Sequence, residues 1–145
     1  MKIKPLKLRT VKPSSSYELA LPEDICEQSD GKVSSFWLDG QPLLLQVSSY
    51  IREKGTQTSA KERLRDRIAK HTETWRTWKS KIYPDPAVDQ STAEFTDANG
   101  VLWVHIYLVW PHLTIYATIS GPEDLVKDQD NWAFEGLKSV TLVTH

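Results

Sequence analysis

The chain has 145 residues, 39% of them hydrophobic and 26% charged, with a net charge of −1. That is the make-up of one ordinary globular domain, and it excludes disordered, collagen-like and coiled-coil classes. The single cysteine, Cys26, cannot close an internal disulfide or build a multi-thiolate metal centre.

No stretch approaches the ~20 apolar residues of a membrane span, and no apolar run follows the basic start as in a signal peptide, so cytoplasmic residence is the default expectation. Charge is balanced in total but uneven along the chain: residues 1–12 carry +5, 13–50 carry −5, 51–82 carry +6 and 83–145 carry −7. A polarised molecule steers its partners, although a basic helix is most often simply a solvated face.

Residues 1–16, with Pro5, Pro13 and three consecutive serines, read as a flexible basic arm or a frayed first strand, leaving 17–145 as a single α+β domain. The folded body is expected to start near Tyr17. Tyr17 to Leu21 reads as a strand stopped at Pro22, and Asp24 to Gln28 as a short helical piece. After the Asp30-Gly31 turn, Val33 to Asp39 and Pro42 to Tyr50 flank Asp39-Gly40 and predict a β-hairpin.

A helix follows, capped by Thr58 or Ser59 with Glu62 completing a capping box. Leu64, Ile68, His71, Trp75, Trp78 and Ile82 repeat at helical spacing and predict one buried stripe as far as about residue 82, where Tyr83-Pro84 ends it. Arg63, Arg67, Lys70 and Lys81 then face solvent.

Residues 92–119 carry the clearest β signal. A two-residue Asn99-Gly100 turn would set Phe95 opposite Val104, Ala93 opposite Ile106 and Glu94 opposite His105. On the next strand Leu113, Ile115, Ala117 and Ile119 share a face, and Tyr107 meets Tyr116. The result is a meander with one aliphatic face and one polar-aromatic face. Gly121-Pro122-Glu123-Asp124 opens a last helix ending or breaking at Gly136, and Val140 to Val143 is a short closing strand.

This order of elements, with Tyr17-Glu18-Leu19-Ala20-Leu21-Pro22 at its start and Trp132-Ala133-Phe134 through Leu142 at its end, resembles the Mog1/PsbP-like superfamily. The resemblance implies an α/β/α sandwich in which a central antiparallel sheet is packed by helices. It also implies a role in binding other proteins, as an adaptor, assembly factor or chaperone, without a shared set of functional residues.

The chemistry-bearing residues point the same way. Glu94 facing His105 would be the orienting half of an acid–base site, but no nucleophile accompanies it. The four histidines (His71, His105, His112, His145) lack metal-ligand spacing and the six glycines form no phosphate loop, so no catalytic set, metal or cofactor is expected. Aromatic side chains on a polar sheet face suit an interface. Trp103, Tyr107 and Tyr116, flanked by Arg63 and Arg67, are therefore the candidate binding residues. The expected partner is another protein, in adaptor, effector-chaperone or toxin-inhibitor style, with a second copy of the chain among the options and no membrane. One alternative is a nucleic-acid binder using segments 1–12 and 61–81, against which the interleaved acids and a pI near 6.4 argue. The other is a small enzyme or ligand-binding domain around Glu94 and His105.

Overall fold

Alternating polar and apolar side chains, the strand period of two, organise most of this chain. The computed structural model describes residues 7–51, 58–78, 81–128 and 130–143. Five strands come first: β1 (Leu8–Ser14), β2 (Tyr17–Pro22), β3 (Cys26–Asp30), β4 (Val33–Trp37) and β5 (Leu44–Ile51). Helix α1 (Ala60–Ile68) precedes β6 (Arg76–Thr77), β7 (Asp89–Thr96), β8 (Leu102–Val109) and β9 (Leu113–Gly121). Helices α2 (Glu123–Lys127) and α3 (Trp132–Lys138) and strand β10 (Thr141–Leu142) complete the order. The chain is thus a single domain of two antiparallel sheets and few helices. One sheet has the order β1-β2-β10 and the other the order β3-β4-β5-β9-β8-β7-β6.

The main core lies between the sheets. Val104, Ile106 and Leu108 of β8 meet Ile119, Ala117 and Ile115 of β9 in the expected register, and all are essentially inaccessible. Tyr17, Leu19 and Leu21 of β2 close over them together with Ala133, Phe134 and Leu137 of α3. Gly136 lies inside α3 rather than at its end, and glycine is required there because a Cβ would collide with the Leu21 side chain. Ser139 Oγ accepts the Ala20 N–H at 2.8 Å, tying the end of α3 to β2.

Several expectations are corrected. The body begins by Leu8, ahead of Tyr17: β1 pairs with β2 and buries Val11, so the strand alternative for 1–16 applies from residue 8, while 1–6 lie outside the described residues. Residues 24–28 do not form a helix. Cys26–Asp30 is an edge strand paired with β4 across Gly31, whose φ of 61° makes the tight turn, and its mostly exposed side chains carry no apolar period. The last helix is two, because Asn131 starts a new one by accepting the Phe134 N–H at 2.9 Å.

The largest departure concerns the long helix. Ser59 caps it as read, accepting the Glu62 N–H at 3.1 Å, but α1 stops at Ile68. His71 is exposed, and β6 then pairs with β7. Residues three apart share a helix face but point to opposite sides of a strand. Trp75 accordingly joins the small cluster beneath α1, whereas Trp78 stacks on Phe134 on the main-core side, ring centroids 5.5 Å apart.

Ile106→Ala, at the centre of the larger sheet, is expected to lower unfolding free energy by about 2–5 kcal/mol in urea titration. Lys32→Ala, in the exposed β3–β4 turn, should stay within about 0.5 kcal/mol of the parent.

Candidate binding face

The side of the larger sheet away from the main core is set by the β7–β8 turn. Asp97 Oδ1 accepts the N–H groups of Asn99 at 2.8 Å and Val101 at 3.1 Å, and Oδ2 accepts the Trp103 indole N–H at 3.0 Å. The Asp97 N–H in turn donates to the Val101 carbonyl, so the loop holds three residues, closed by Gly100 with φ 79°. The indole hydrogen bond, helped by the Val101 and Asn99 amides, holds the Asp97 carboxyl below its ordinary pKa.

A three-residue loop moves the register by one from the two-residue expectation. Phe95 faces Trp103, Ala93 faces His105, and Glu94 faces Val104. Phe95 is therefore absent from the aliphatic face where it was expected, and Glu94 and His105 point to opposite sides of the sheet. The acid–base pair read from the sequence is not assembled. Glu94 instead lies 3.9 Å from Arg76.

On this second face His105 and Tyr107 follow Trp103 along β8, beside Tyr116 and Thr118 of β9. Helix α1 covers the Tyr107 end. Asp89, the first residue of β7, accepts the Ala60 N–H at 2.8 Å and anchors the helix start. Arg67 donates to the Tyr107 hydroxyl at 2.7 Å, and its guanidinium carbon lies 3.9 Å from the Tyr116 ring centroid, a cation–π contact. Arg63 and Arg67, expected in water, are both half-buried on the sheet side of the helix, whereas Lys70 and Lys81 are exposed. Tyr107 is only 4% accessible and lies beneath α1. Of the aromatic trio, Trp103 and Tyr116 are partly accessible.

His105 sits among rings, 4.6 Å from Trp75 and 5.6 Å from Phe95 between centroids. Its Nδ1 pairs with the Tyr116 hydroxyl, and among the described residues its Nε2 has no partner. Burial, with Arg67 and then His71 nearby, pushes its pKa down to about 3, and burial raises that of Tyr116. Both are neutral near pH 7, so the contact between Nδ1 and the hydroxyl is a hydrogen bond between two uncharged groups.

Beside this cluster, between α1 and β6–β7, runs a groove of about 560 Å³. Leu64, Ile68, Trp75 and Ala93 supply its apolar lining, and Lys61, Arg65 and Arg76 contribute positive charge. Among the described residues neither Lys61 nor Arg65 has an ion-pair partner, and the buried Trp75 indole N–H has no acceptor. Sequence reasoning missed this groove because it assigned Trp75 and Arg76 to a continuous helix. The basic segment 51–82 was the available signal.

No protein-family model matches this chain, and no curated protein is similar to it. Among solved structures, a Bacteroides thetaiotaomicron VPI-5482 protein is similar at a TM-score of 0.57 and 13% identity over 89% of this chain. The match covers 46% of that protein, so this chain spans about half its length. The likeness is one of fold. Among the described residues no helix is long and apolar enough to cross a membrane, and no three His, Cys, Asp or Glu side chains gather as metal ligands.

Because His105 stays neutral when folded but has an ordinary pKa of 6.5 when unfolded, the unfolded state takes up a proton that the native state refuses. This depressed His pKa therefore removes stability as pH falls through 6.5 towards 3. Between pH 7 and pH 5 the loss from this group should be about 2 kcal/mol, measured by urea unfolding. His105→Gln should remove that share of the pH dependence. Tyr107→Phe, which deprives Arg67 of its acceptor, should cost about 1.5–3 kcal/mol.

Proposed function

We propose that this chain is a protein-binding domain that receives an acidic segment of a partner in the groove between α1 and β6–β7. One observation carries the reading: an apolar lining of Leu64, Ile68 and Trp75 lies below two cations without ion pairs and beside an indole N–H without an acceptor. A buried donor lacking a partner costs free energy that an incoming carboxylate or carbonyl oxygen recovers. The apolar lining calls for an anchor side chain, and the cations call for acids around it.

The binding set read from the sequence is thereby redistributed. Arg67, Tyr107 and Tyr116 satisfy one another and hold α1 on the sheet, and Lys61, Arg65 and Arg76 take over the electrostatic role proposed for Arg63 and Arg67. The Mog1/PsbP-like assignment and its sandwich architecture belong to this proposal. They are supported by α1 packing on one side of the larger sheet and by α3, seated on β2 of the smaller sheet, sharing the main core on the other. Nucleic acid is the weaker reading, because Glu62, Asp66 and Asp89 interleave the cations of the groove region.

A photo-reactive residue placed at Thr77, on the groove wall, should give a discrete protein adduct in cells, and one placed at Lys32, by the opposite sheet edge, should not. Lys61→Glu with Arg65→Glu should abolish the adduct and slow association with the recovered partner about tenfold or more at low salt. Loss of the adduct on nuclease treatment, or its survival in the double variant, overturns the reading.

A further inference from the structure

Beyond the basic groove, the same face holds a second concavity of different chemistry. It has a volume of about 280 Å³, close to the lower end of the roughly 300–1,000 Å³ of small-molecule sites. Register explains its shape. Thr118 sits between Gln46 of β5 and His105 of β8. Tyr116 lies two residues before Thr118 on β9, and Trp103 faces Ser120, two residues after it. The small Thr118 side chain is thus a floor between two aromatic walls whose backbone levels are roughly 13 Å apart along the strands.

The walls are fixed in advance. Trp103 is held by Asp97 and lies nearly parallel to Phe95, with 8° between the planes, and Tyr116 is held by His105 and by the guanidinium of Arg67. The polar groups facing the space are uncharged. Among the described residues the Ser48 and Thr118 hydroxyls bond to no other residue, and His105, 6% accessible, keeps its Nε2 unpartnered. No Asp, Glu, Lys or Arg lines the space.

We propose that the concavity over Thr118 is a seat for a small uncharged heteroaromatic ring, lying between Trp103 and Tyr116 with its polar edge turned to Thr118 and Ser48. Flat rings match flat, rigid walls. An ion would lose its hydration for no compensating charge. The hydroxyls donate and accept, as the mixed edge of a nitrogen heterocycle requires.

The test is NMR titration of the intact chain, following the Trp103 indole N–H, with adenine, nicotinamide, benzoate and methyl glucoside as probes. Adenine or nicotinamide should shift that signal saturably, and benzoate and the glucoside should not. Thr118→Val, which keeps the branched shape but removes the hydroxyl, should weaken binding about tenfold, equivalent to about 1.4 kcal/mol. Should Thr118→Val fold poorly, Ser48→Ala, which removes the other hydroxyl facing the space, replaces it and should weaken binding likewise. The proposal is overturned if neither heterocycle saturates by ~10 mM, if benzoate or the glucoside binds as tightly, or if the folded variant binds like the parent. Because Lys61 and Arg65 lie outside this concavity, Lys61→Glu with Arg65→Glu should leave the titration unchanged, so the two sites stand or fall separately.

Discussion

The Asp97 carboxylate controls the second face of the sheet. By capping two amides of its own turn and the Trp103 indole, it stabilises a three-residue loop, and loop length fixes strand register. Because side chains alternate, one residue of register decides whether β7 shows the second face Ala93 and Phe95 or Thr92 and Glu94. With the register that Asp97 enforces, Ala93 leaves room for the Trp75 ring to close over His105, and Phe95 backs Trp103. The opposite register would set a carboxylate beside the imidazole and leave the rings without a support.

Legibility from sequence followed the range of the forces involved. The β8–β9 pairing was readable because two strands of strict alternation admit one register that keeps Leu108, Ile106 and Val104 against Ile115, Ala117 and Ile119. The Ser59 cap was readable because it depends on four consecutive residues. The β7 register was not: Asn99-Gly100 signals a hairpin, but only the side-chain bonds of Asp97 distinguish three loop residues from two. The end of α1 was hidden for a related reason. Trp75 and Trp78 satisfy a helical period, yet a strand at the sheet edge uses the same spacing to bury one indole on each side. The groove depends on that strand and was out of reach with it.

Arginine and lysine do different work on the two sides of α1. Arg67 gives its planar guanidinium to two tyrosines, an internal role for which a lysine would be a poor substitute. Lys61 and Arg65, one turn apart, keep their charge for the groove. A helix counted simply as basic from its sequence thus divides into a structural cation and recognition cations, and the uncharged hollow around Thr118 lies beyond Arg67, which is already engaged by aromatic rings.

The two tryptophans flanking β6 also bear on how the domain comes apart. Trp75 belongs to the cluster under α1 and Trp78 to the core under α3, and the backbone between them is laced to β7, with the Trp78 N–H donating to the Thr92 carbonyl at 3.1 Å. This short edge strand works as a fastener through the sheet margin. Peeling it away would uncover apolar surface on both sides at once, which couples the opening of α1 to the opening of the main core. A nine-residue helix, short enough to fray on its own, is thereby drawn into the same cooperative unit as the sheet, and amide exchange in α1 and at the β7 margin should share one opening free energy.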